Sequence, residues 1–275
     1  MTDDIKAEIK IRASGLPSYA DCSRRAATRL VWDEIINAGY DLRSDTTSNV
    51  GAALGSSTHE AAAYSLNTKM YDGTLGSESD AFELAIGKFE EIRDKEGVTY
   101  DATTPTYDKA ELQLRTLVNA YRTQVAPEIK PVEVEIRLEA DIGDGFILSG
   151  QFDVREAETL RDLKTGAVAR ANIAQYGAYV LLCWINNRTV KSIVEDYLPR
   201  KKEPIVEPYR YKVENAALAA RSILKRIKED INSFRKDGEP TSFISNPGSM
   251  LCSDRFCPAW GTKFCCEHKP KSQGE

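Results

Sequence analysis

The segment PVEVEIRLEADIGDGFILSGQFDVREAETLRDLKT, residues 131–165, alternates between apolar and polar side chains with a period of two. Such alternation is typical of strands that bury one face. Turn residues interrupt it twice, at 143–145 and at 156–159. The segment therefore predicts a three-strand antiparallel meander.

The second turn of this segment sets the pairing of two acidic residues. With the turn at 156–159, Asp153 is predicted to face Asp162 directly, and the same register places Gln151 opposite Lys164. Two carboxylates opposite each other destabilise a strand pair, which indicates a cation between them, and oxygen ligands suit Mg²⁺ or Mn²⁺. Lys164 would orient or help deprotonate a water for attack on a phosphodiester. The alternative is a solvated hairpin whose acids face water.

Upstream of the meander the pattern is helical. Residues 18–39 are predicted to form one helix, capped by Ser18 and ended by Gly39. Two further amphipathic helices are predicted at residues 77–97 and 106–128. The first half of the chain is therefore expected to be mainly helical.

Between these helices a loop of small residues leads into another predicted helix. Ser56, Ser57 or Thr58 is expected to cap it. His59 would then lie in the first turn of this helix.

Downstream of the meander, helix and strand alternate. The pattern predicts a helix at residues 172–187, a fourth strand at 189–200 and a long amphipathic helix at 215–238. The tail from residue 246 onward has no periodicity. This order of elements predicts an α/β fold, with a mixed central sheet flanked by helices, an N-terminal helical region and a C-terminal cysteine-rich tail.

Two polar residues interrupt the apolar helix that follows the meander. Gln175 and Tyr179 are four residues apart and therefore share one face of this helix. On an otherwise apolar helix they require a polar neighbour, and the face that carries Asp153, Asp162 and Lys164 is the candidate.

These residues together carry a resemblance. Asp153, then DLK at residues 162–164, then QYGAY at 175–179, resembles the PD-(D/E)XK nuclease superfamily. More narrowly, the set resembles the RecB-like exonuclease branch, which includes CRISPR-associated and phage-encoded members. The resemblance extends from Cys22 to Cys266. It implies a restriction-endonuclease-like core and a single nuclease domain over residues 1–275.

The resemblance adds two residues to the site. In the RecB-like branch, a histidine in a G-x-x-x-H sequence is a metal ligand, and residues 55–59 read GSSTH. This match implies that His59 is a ligand. The branch also places a glutamate on the strand before the first aspartate. Glu135 is the match, with Glu133 as the near alternative.

The resemblance further implies the chemistry of the site. The ligands implied for Mg²⁺ or Mn²⁺ are Asp153, Asp162, His59 and the backbone carbonyl of Leu163. Lys164 would position the attacking water and stabilise the developing charge. Gln175 and Tyr179 would hold the DNA backbone or support Lys164.

Four of the six cysteines, Cys252, Cys257, Cys265 and Cys266, crowd the tail. A metal or an iron-sulfur cluster explains them better than free buried thiols do. Adjacent Cys265 and Cys266 have difficulty reaching one small centre together, which leaves one ligand vacant. Cys22 would fill it if the two ends of the chain meet.

The resemblance agrees with such a centre. Nucleases of the AddB and CRISPR-associated type hold a [4Fe-4S] cluster with one cysteine before the core and three after it. The implied ligands are Cys22, Cys252, Cys257 and Cys265, and Zn²⁺ in the same thiols is the alternative. Cys183 is expected to pack in the core, and His268 in the tail is expected to be inert.

The bulk composition limits the possible functions. The formal net charge is −5, so the chain does not coat nucleic acid through bulk positive charge. Contact with DNA would use a local basic groove, and Arg24, Arg25, Lys201 and Lys202 are predicted phosphate contacts. No apolar run reaches membrane-spanning length, and the start of the chain has no apolar signal segment. These features predict a cytoplasmic protein without a membrane partner.

The sequence thus predicts a Mg²⁺- or Mn²⁺-dependent DNA exonuclease that acts on linear single- or double-stranded DNA in recombination, repair or CRISPR spacer acquisition. Its protein partner would be a recombination or CRISPR adaptation protein. The alternatives are a nicking or restriction-type endonuclease, an inactive or end-trimming DNA-binding subunit, and a zinc-stabilised interaction protein. Helicase activity is excluded because the chain has no GxxxxGK[ST] phosphate loop.

Overall fold

The computed structural model describes residues 8–169 and 172–266. Its strands are β1 (Ile9–Arg12), β2 (Ser48–Asn49), β3 (Val98–Thr99), β4 (Glu133–Asp141), β5 (Phe146–Arg155), β6 (Thr159–Gly166), β7 (Ser192–Pro199) and β8 (Glu207–Tyr211). Its α-helices are α1 (Leu16–Asp21), α2 (Ser23–Leu30), α3 (Trp32–Asn37), α4 (Val50–Asp72), α5 (Glu78–Glu96), α6 (Tyr107–Gln124), α7 (Ile173–Ile185) and α8 (Val213–Asp237). None of these helices is both long enough and apolar enough to cross a bilayer.

The main sheet is mixed. Strand β5 pairs antiparallel with β4 along one edge, while its other edge pairs with β1 in parallel and then with β6 antiparallel. Strand β7 runs parallel to β6, and β8 closes the sheet antiparallel to β7. The predicted α/β class, with a mixed central sheet flanked by helices, is confirmed.

The predicted meander is present as β4, β5 and β6. Sequence analysis missed two strands of the main sheet, β1 and β8, and also the two short strands β2 and β3, which pair with each other in a separate sheet. The segment of β8 is exposed along its length, so it lacks the alternation of buried and exposed residues that marks a half-buried strand. Strand β1 is only four residues long and follows a highly charged segment.

The predicted single helix over residues 18–39 is wrong. This region forms α1, α2 and α3, because the backbone is not helical at Cys22 (φ −154°, ψ 99°) or at Val31 (φ −137°, ψ 42°). Ser18 lies inside α1 and does not cap it. The interruption at Cys22 lies where the chain meets its own C-terminal tail.

The predicted start of the helix that carries His59 is also wrong. Helix α4 begins at Val50, and the side chain of Asn49 caps it by accepting a hydrogen bond from the Ala52 amide at 2.9 Å. The Ser57 and Thr58 hydroxyls donate to carbonyls one turn earlier in the helix. His59 therefore lies well inside a long helix rather than in its first turn.

Helix α7 lies in the core against α8. Gly177 allows this close approach, because a Cβ atom there would lie 1.8 Å from the backbone oxygen of Ala216. Gly177→Ala is expected to destabilise the fold by about 3 kcal/mol, since the obstacle is backbone and cannot rotate away. Gly87→Ala, in α5 with no atom near the added methyl, is expected to stabilise it by about 0.5–1 kcal/mol. Urea unfolding midpoints measure both changes.

The C-terminal tail packs against the N-terminal helices. The buried rings of Phe243 and Phe264 contact each other and Phe234 of α8, and this aromatic cluster explains how a segment without periodicity becomes ordered. The guanidinium of Arg24 donates to the carbonyl of Phe243 at 2.9 Å. Arg25 donates to Ser249 at 3.0 Å.

Arg24 and Arg25 are therefore not the phosphate contacts that the sequence analysis predicted. They are 4% and 8% exposed, and they connect α2 to the tail. Buried guanidinium groups require such partners, because an unpaired charge in the core is strongly destabilising.

Candidate metal and active site

A groove of about 610 Å³ lies over the exposed face of β4 and β5, with α4 on one side and α7 on the other. Most of the predicted site residues line it: His59, Glu135, Asp153, Lys164, Gln175 and Tyr179. Lys201 and Lys202 are exposed and do not line it. The fold thus brings together residues that are up to 120 positions apart in the numbering.

Three ligand atoms converge at the centre of this groove. One atom each from His59 of α4, Glu135 of β4 and Asp153 of β5 lie within 4.8 Å of one another. The Nδ1 of His59 is 3.1 Å from an oxygen of Asp153. Imidazole and carboxylate groups at this spacing are suited to a divalent cation such as Mn²⁺ or Mg²⁺.

The predicted register of β5 and β6 is confirmed where they pair, with Arg155 opposite Leu160 and Val154 opposite Arg161. The ladder ends there, one position before Asp153 and Asp162, so these two carboxylates are not a hydrogen-bonded pair of the ladder. The Leu163 amide donates to Asp153 Oδ2 at 2.7 Å instead. The acid that faces Asp153 across a strand pair is Glu135, because the β4–β5 register pairs Val134 with Val154 and Ile136 with Phe152.

Asp162 lies next to this group, just beyond the end of the β5–β6 ladder. It lines a small cavity together with His59, Glu135 and Asp153. Its Oδ2 lies 2.5 Å from the ammonium of Lys164. Its Oδ1 is buried and accepts no hydrogen bond within the described residues, and such a buried, unpartnered carboxylate oxygen is suited to binding a cation.

The carboxylates of the site repel one another. Burial raises the pKa of Asp162 to about 7 despite the opposing charge of Lys164, and the charge of Asp153 adds to this rise. Burial and Asp153 likewise raise the pKa of Glu135 to about 7. Burial also disfavours the charged form of Asp153, but His59 outweighs it and lowers its pKa. A divalent cation would relieve this repulsion.

The pKa values of the two cationic groups of the site, His59 and Lys164, are also raised, in their case by attraction to the carboxylates. Burial disfavours a charged imidazole, but Asp153 outweighs it and raises the pKa of His59 to about 9. Asp162 similarly outweighs the burial of Lys164 and raises the pKa of its ammonium group. Without a metal, His59 is therefore held as a cation by Asp153, and a bound metal would replace that proton.

Glu135 is held in place by a residue that sequence analysis did not assign to the site. Its backbone has φ 53°, a conformation that is uncommon outside glycine. The Gln151 amide donates to its carboxylate at 2.5 Å, and Arg137 donates to Gln151 at 2.9 Å. Gln151 was predicted to face Lys164, and only its alternation with Asp153 along β5 could have indicated its true position.

Glu133, the alternative to Glu135, lies elsewhere. Its carboxylate accepts hydrogen bonds from Arg155 at 2.5 Å and Arg188 at 2.8 Å, and it does not line the groove. The geometry therefore places Glu135, rather than Glu133, beside Asp153.

Helix α7 supplies the other wall. Gln175 donates to the hydroxyl of Tyr179 at 2.8 Å, and both side chains line the groove, so they share a face as predicted. Tyr176, which sequence analysis left unassigned, lies under Lys164, with the ammonium 5.9 Å from the ring centroid. Its hydroxyl donates to buried Glu195 at 2.5 Å.

Glu135 is expected to make the stability of the folded chain depend on pH. Its folded pKa is raised above the unfolded value, so the stability that it contributes below pH ~4.5 is lost as the pH rises through about 7. Without metal, Glu135→Gln is therefore expected to be more stable than the unaltered chain at pH 8, by about 1–2 kcal/mol, and no more stable at pH 5. Melting temperatures at both pH values, with and without Mg²⁺, measure this; Mg²⁺ should stabilise only the unaltered chain.

The predicted cluster ligands meet at a second place. Cys22, Cys252, Cys257 and Cys265 line one small cavity between α2 and the tail, whereas Cys266 is exposed. Burial raises the pKa of the Cys257 thiol to about 11, and Cys265 and Cys22 add to this rise. The Cys257 thiol would therefore ionise only beside a cation.

The two remaining predictions for single residues have different outcomes. Cys183 is fully buried among core residues, as expected for packing. His268 lies outside the described residues.

Comparison with known proteins shows similarity in the fold alone. No family model matches the chain, and no curated protein matches it. The crystal structure of a "Putative exonuclease" from Eubacterium rectale aligns with a TM-score of 0.52 at 11% identity, covering 80% of each chain. The structure of SSO0001 aligns with a TM-score of only 0.30 at 10% identity, covering 71% of this chain and 82% of that one.

Proposed function

We propose that this chain is a Mg²⁺- or Mn²⁺-dependent DNA exonuclease with a PD-(D/E)XK core of the RecB-like branch, in a single domain. The observation that carries the proposal is the convergence of His59, Glu135 and Asp153 within 4.8 Å, beside a buried aspartate–lysine pair in an open groove. The similarity of the fold to the "Putative exonuclease" from Eubacterium rectale adds support.

The residues of the groove have separate roles in this proposal. His59, Glu135, Asp153 and Asp162 would hold the cation, which when bound lowers the pKa of water and neutralises phosphate charge. Lys164 stays protonated and places a positive charge beside the scissile phosphate, where negative charge develops. Gln175 and Tyr179, fixed by their mutual hydrogen bond, orient the DNA backbone.

We assign a separate, structural role to the cysteine cavity, with a [4Fe-4S] cluster held by Cys22, Cys252, Cys257 and Cys265. The lining of one small cavity by all four cysteines supports a shared centre. In a cluster each thiolate would bind a different iron atom, and a tetrahedral Zn²⁺ in the same thiols is the alternative.

The experiment is digestion of DNA under defined metal conditions. Linear DNA labelled at either end, single- or double-stranded, and covalently closed circular DNA are incubated with Mn²⁺, Mg²⁺ or EDTA. The unaltered chain is expected to shorten linear DNA only with metal and to leave circles intact, whereas Asp162→Asn should leave both intact. Cutting of circles would indicate an endonuclease. Binding without any cutting would indicate a DNA-binding subunit.

A further inference from the structure

The face of β5 that lines the groove continues beyond the proposed metal ligands. Ser149, Gln151 and Asp153 alternate along this strand and face α4. Across from them, the β4 register sets Glu139 opposite Ser149, Arg137 opposite Gln151, and Glu135 opposite Asp153. The groove floor thus consists of rows of side chains about 7 Å apart, the distance of two residues along a strand.

The charge of these rows changes sign along the groove. The row of Glu135 and Asp153 is acidic, whereas the next row carries the exposed guanidinium of Arg137. The row after that carries Arg12, which β1 places opposite Ser149. One end of the groove floor is therefore acidic and the other end is basic.

The positive charge of Arg12 is available to bind an anion. Glu139 in the same row is ion-paired with Lys10 at 2.7 Å. Within residues 8–169 and 172–266, the exposed guanidinium of Arg12 has neither a hydrogen bond nor an ion pair. Arg137 is oriented by a single hydrogen bond to Gln151, at 2.9 Å, which leaves its other donors unused within the described residues.

Small and polar side chains also line the groove. Helix α4 contributes Ser56, Ala63 and Asn67, which share one face because they are spaced by about two turns and one turn, together with Glu60. Ser14, two residues after Arg12, lines the groove as well. Small side chains and hydroxyl or amide groups leave room for a polar chain and can hydrogen-bond to it.

We infer that Arg137 and Arg12 bind two consecutive backbone phosphates on one side of the scissile phosphate, so that the substrate strand runs along β5 from the acidic row to the basic rows. This inference rests on the proposed function. Guanidinium groups bind phosphate oxygens in a bidentate manner, and such contacts fix the position of a strand without reading its sequence. The substrate would therefore need at least two nucleotides on this side of the cut.

The test measures binding in the absence of cleavage. In an Asp162→Asn background with EDTA, the affinity for a dye-labelled single-stranded oligonucleotide is determined by anisotropy over a series of salt concentrations. Arg12→Gln and Arg137→Gln are each expected to weaken binding about 5- to 10-fold and to reduce the slope of log K against log salt by about 0.7. Arg221→Gln, an exposed arginine of α8 outside the groove, is the matched control.

Neutral methylphosphonates locate the two contacts. A single methylphosphonate at the phosphate bound by Arg12 should weaken binding to the Asp162→Asn protein. It should not weaken binding further when Arg12→Gln is also present. A methylphosphonate at the adjacent phosphate should likewise weaken binding unless Arg137→Gln is present. Both variants are checked for unaltered thermal unfolding. Affinities and salt slopes equal to those of Arg221→Gln would overturn the inference.

The outcomes separate this inference from the proposed function. If the unaltered chain cuts DNA and both arginine variants bind like the control, the function stands and the phosphate contacts are wrong. If binding depends on both arginines but no metal supports cutting, the contacts stand and the nuclease proposal is wrong. If the unaltered chain does not bind DNA, both are wrong.

Discussion

Replacing Lys164 by methionine is expected to reduce the rate of DNA cleavage by about 10³-fold while leaving divalent-metal binding in place. The side chain of Lys164 is partly buried, and its ammonium is paired with Asp162 at 2.5 Å. Its pKa is raised, so the side chain is a cation at neutral pH. Methionine has a similar length but no charge, so the variant loses the group that would stabilise negative charge on the phosphate.

Two further variants make this result specific. Asp153→Asn should abolish both cleavage and binding of Mn²⁺, measured by electron paramagnetic resonance, because it removes a ligand. Lys225→Met, on the exposed surface of α8, should cleave like the unaltered chain. Cleavage by Lys164→Met at the unaltered rate, with Mn²⁺ bound, would show that Lys164 takes no part in the reaction.

If the proposed cluster is present, replacing Cys22 by serine is expected to remove it and to destabilise the fold by about 5 kcal/mol. A centre that joins Cys22 to the tail closes a loop over most of the chain, and crosslinks that close long loops limit the unfolded chain most. The tail would keep its aromatic contacts and the hydrogen bonds of Arg24 and Arg25, so weakened attachment is expected rather than complete loss of structure.

Cys266→Ser is the matched control, because Cys266 is exposed and adjacent to Cys265. Iron and sulfide contents, the visible absorption of protein purified without oxygen, and the melting temperature are compared for both variants. Cys266→Ser should equal the unaltered chain in all of them. Zinc in place of iron in the unaltered chain would support the alternative metal, and a full metal content in Cys22→Ser would remove this cysteine from the ligand set.

The site is electrostatically unfavourable without a cation. Glu135 and Asp153 face each other across a strand pair, Asp162 is buried beside them, and the backbone of Glu135 has a positive φ. Two buried acids with raised pKa values indicate that the fold maintains this repulsion, a pattern that clusters at functional sites. Metal binding is therefore expected to strengthen as the pH rises, whereas the stability of the metal-free chain is expected to fall.

The local pattern of the sequence was sufficient for the meander, for α5 to α8 and for the shared face of Gln175 and Tyr179. In these segments the period of the side chains matches the period of the backbone, so burial follows from the order of residues alone. The same local reasoning failed at α4, because small residues read as a loop when their packing partners are not known. It also failed at Cys22, where contacts with a distant tail determine the backbone.

The sequence by itself identified Asp153, Asp162, Lys164 and the cysteines as candidates from their chemistry, and the resemblance to a nuclease family added His59. Only the tertiary structure decided which of them meet. The β5–β6 ladder ends one position before Asp153 and Asp162, and the β4–β5 register places Glu135 opposite Asp153. Where a ladder ends and which distant strand pairs with it depend on packing between segments far apart in the chain, which no local pattern encodes.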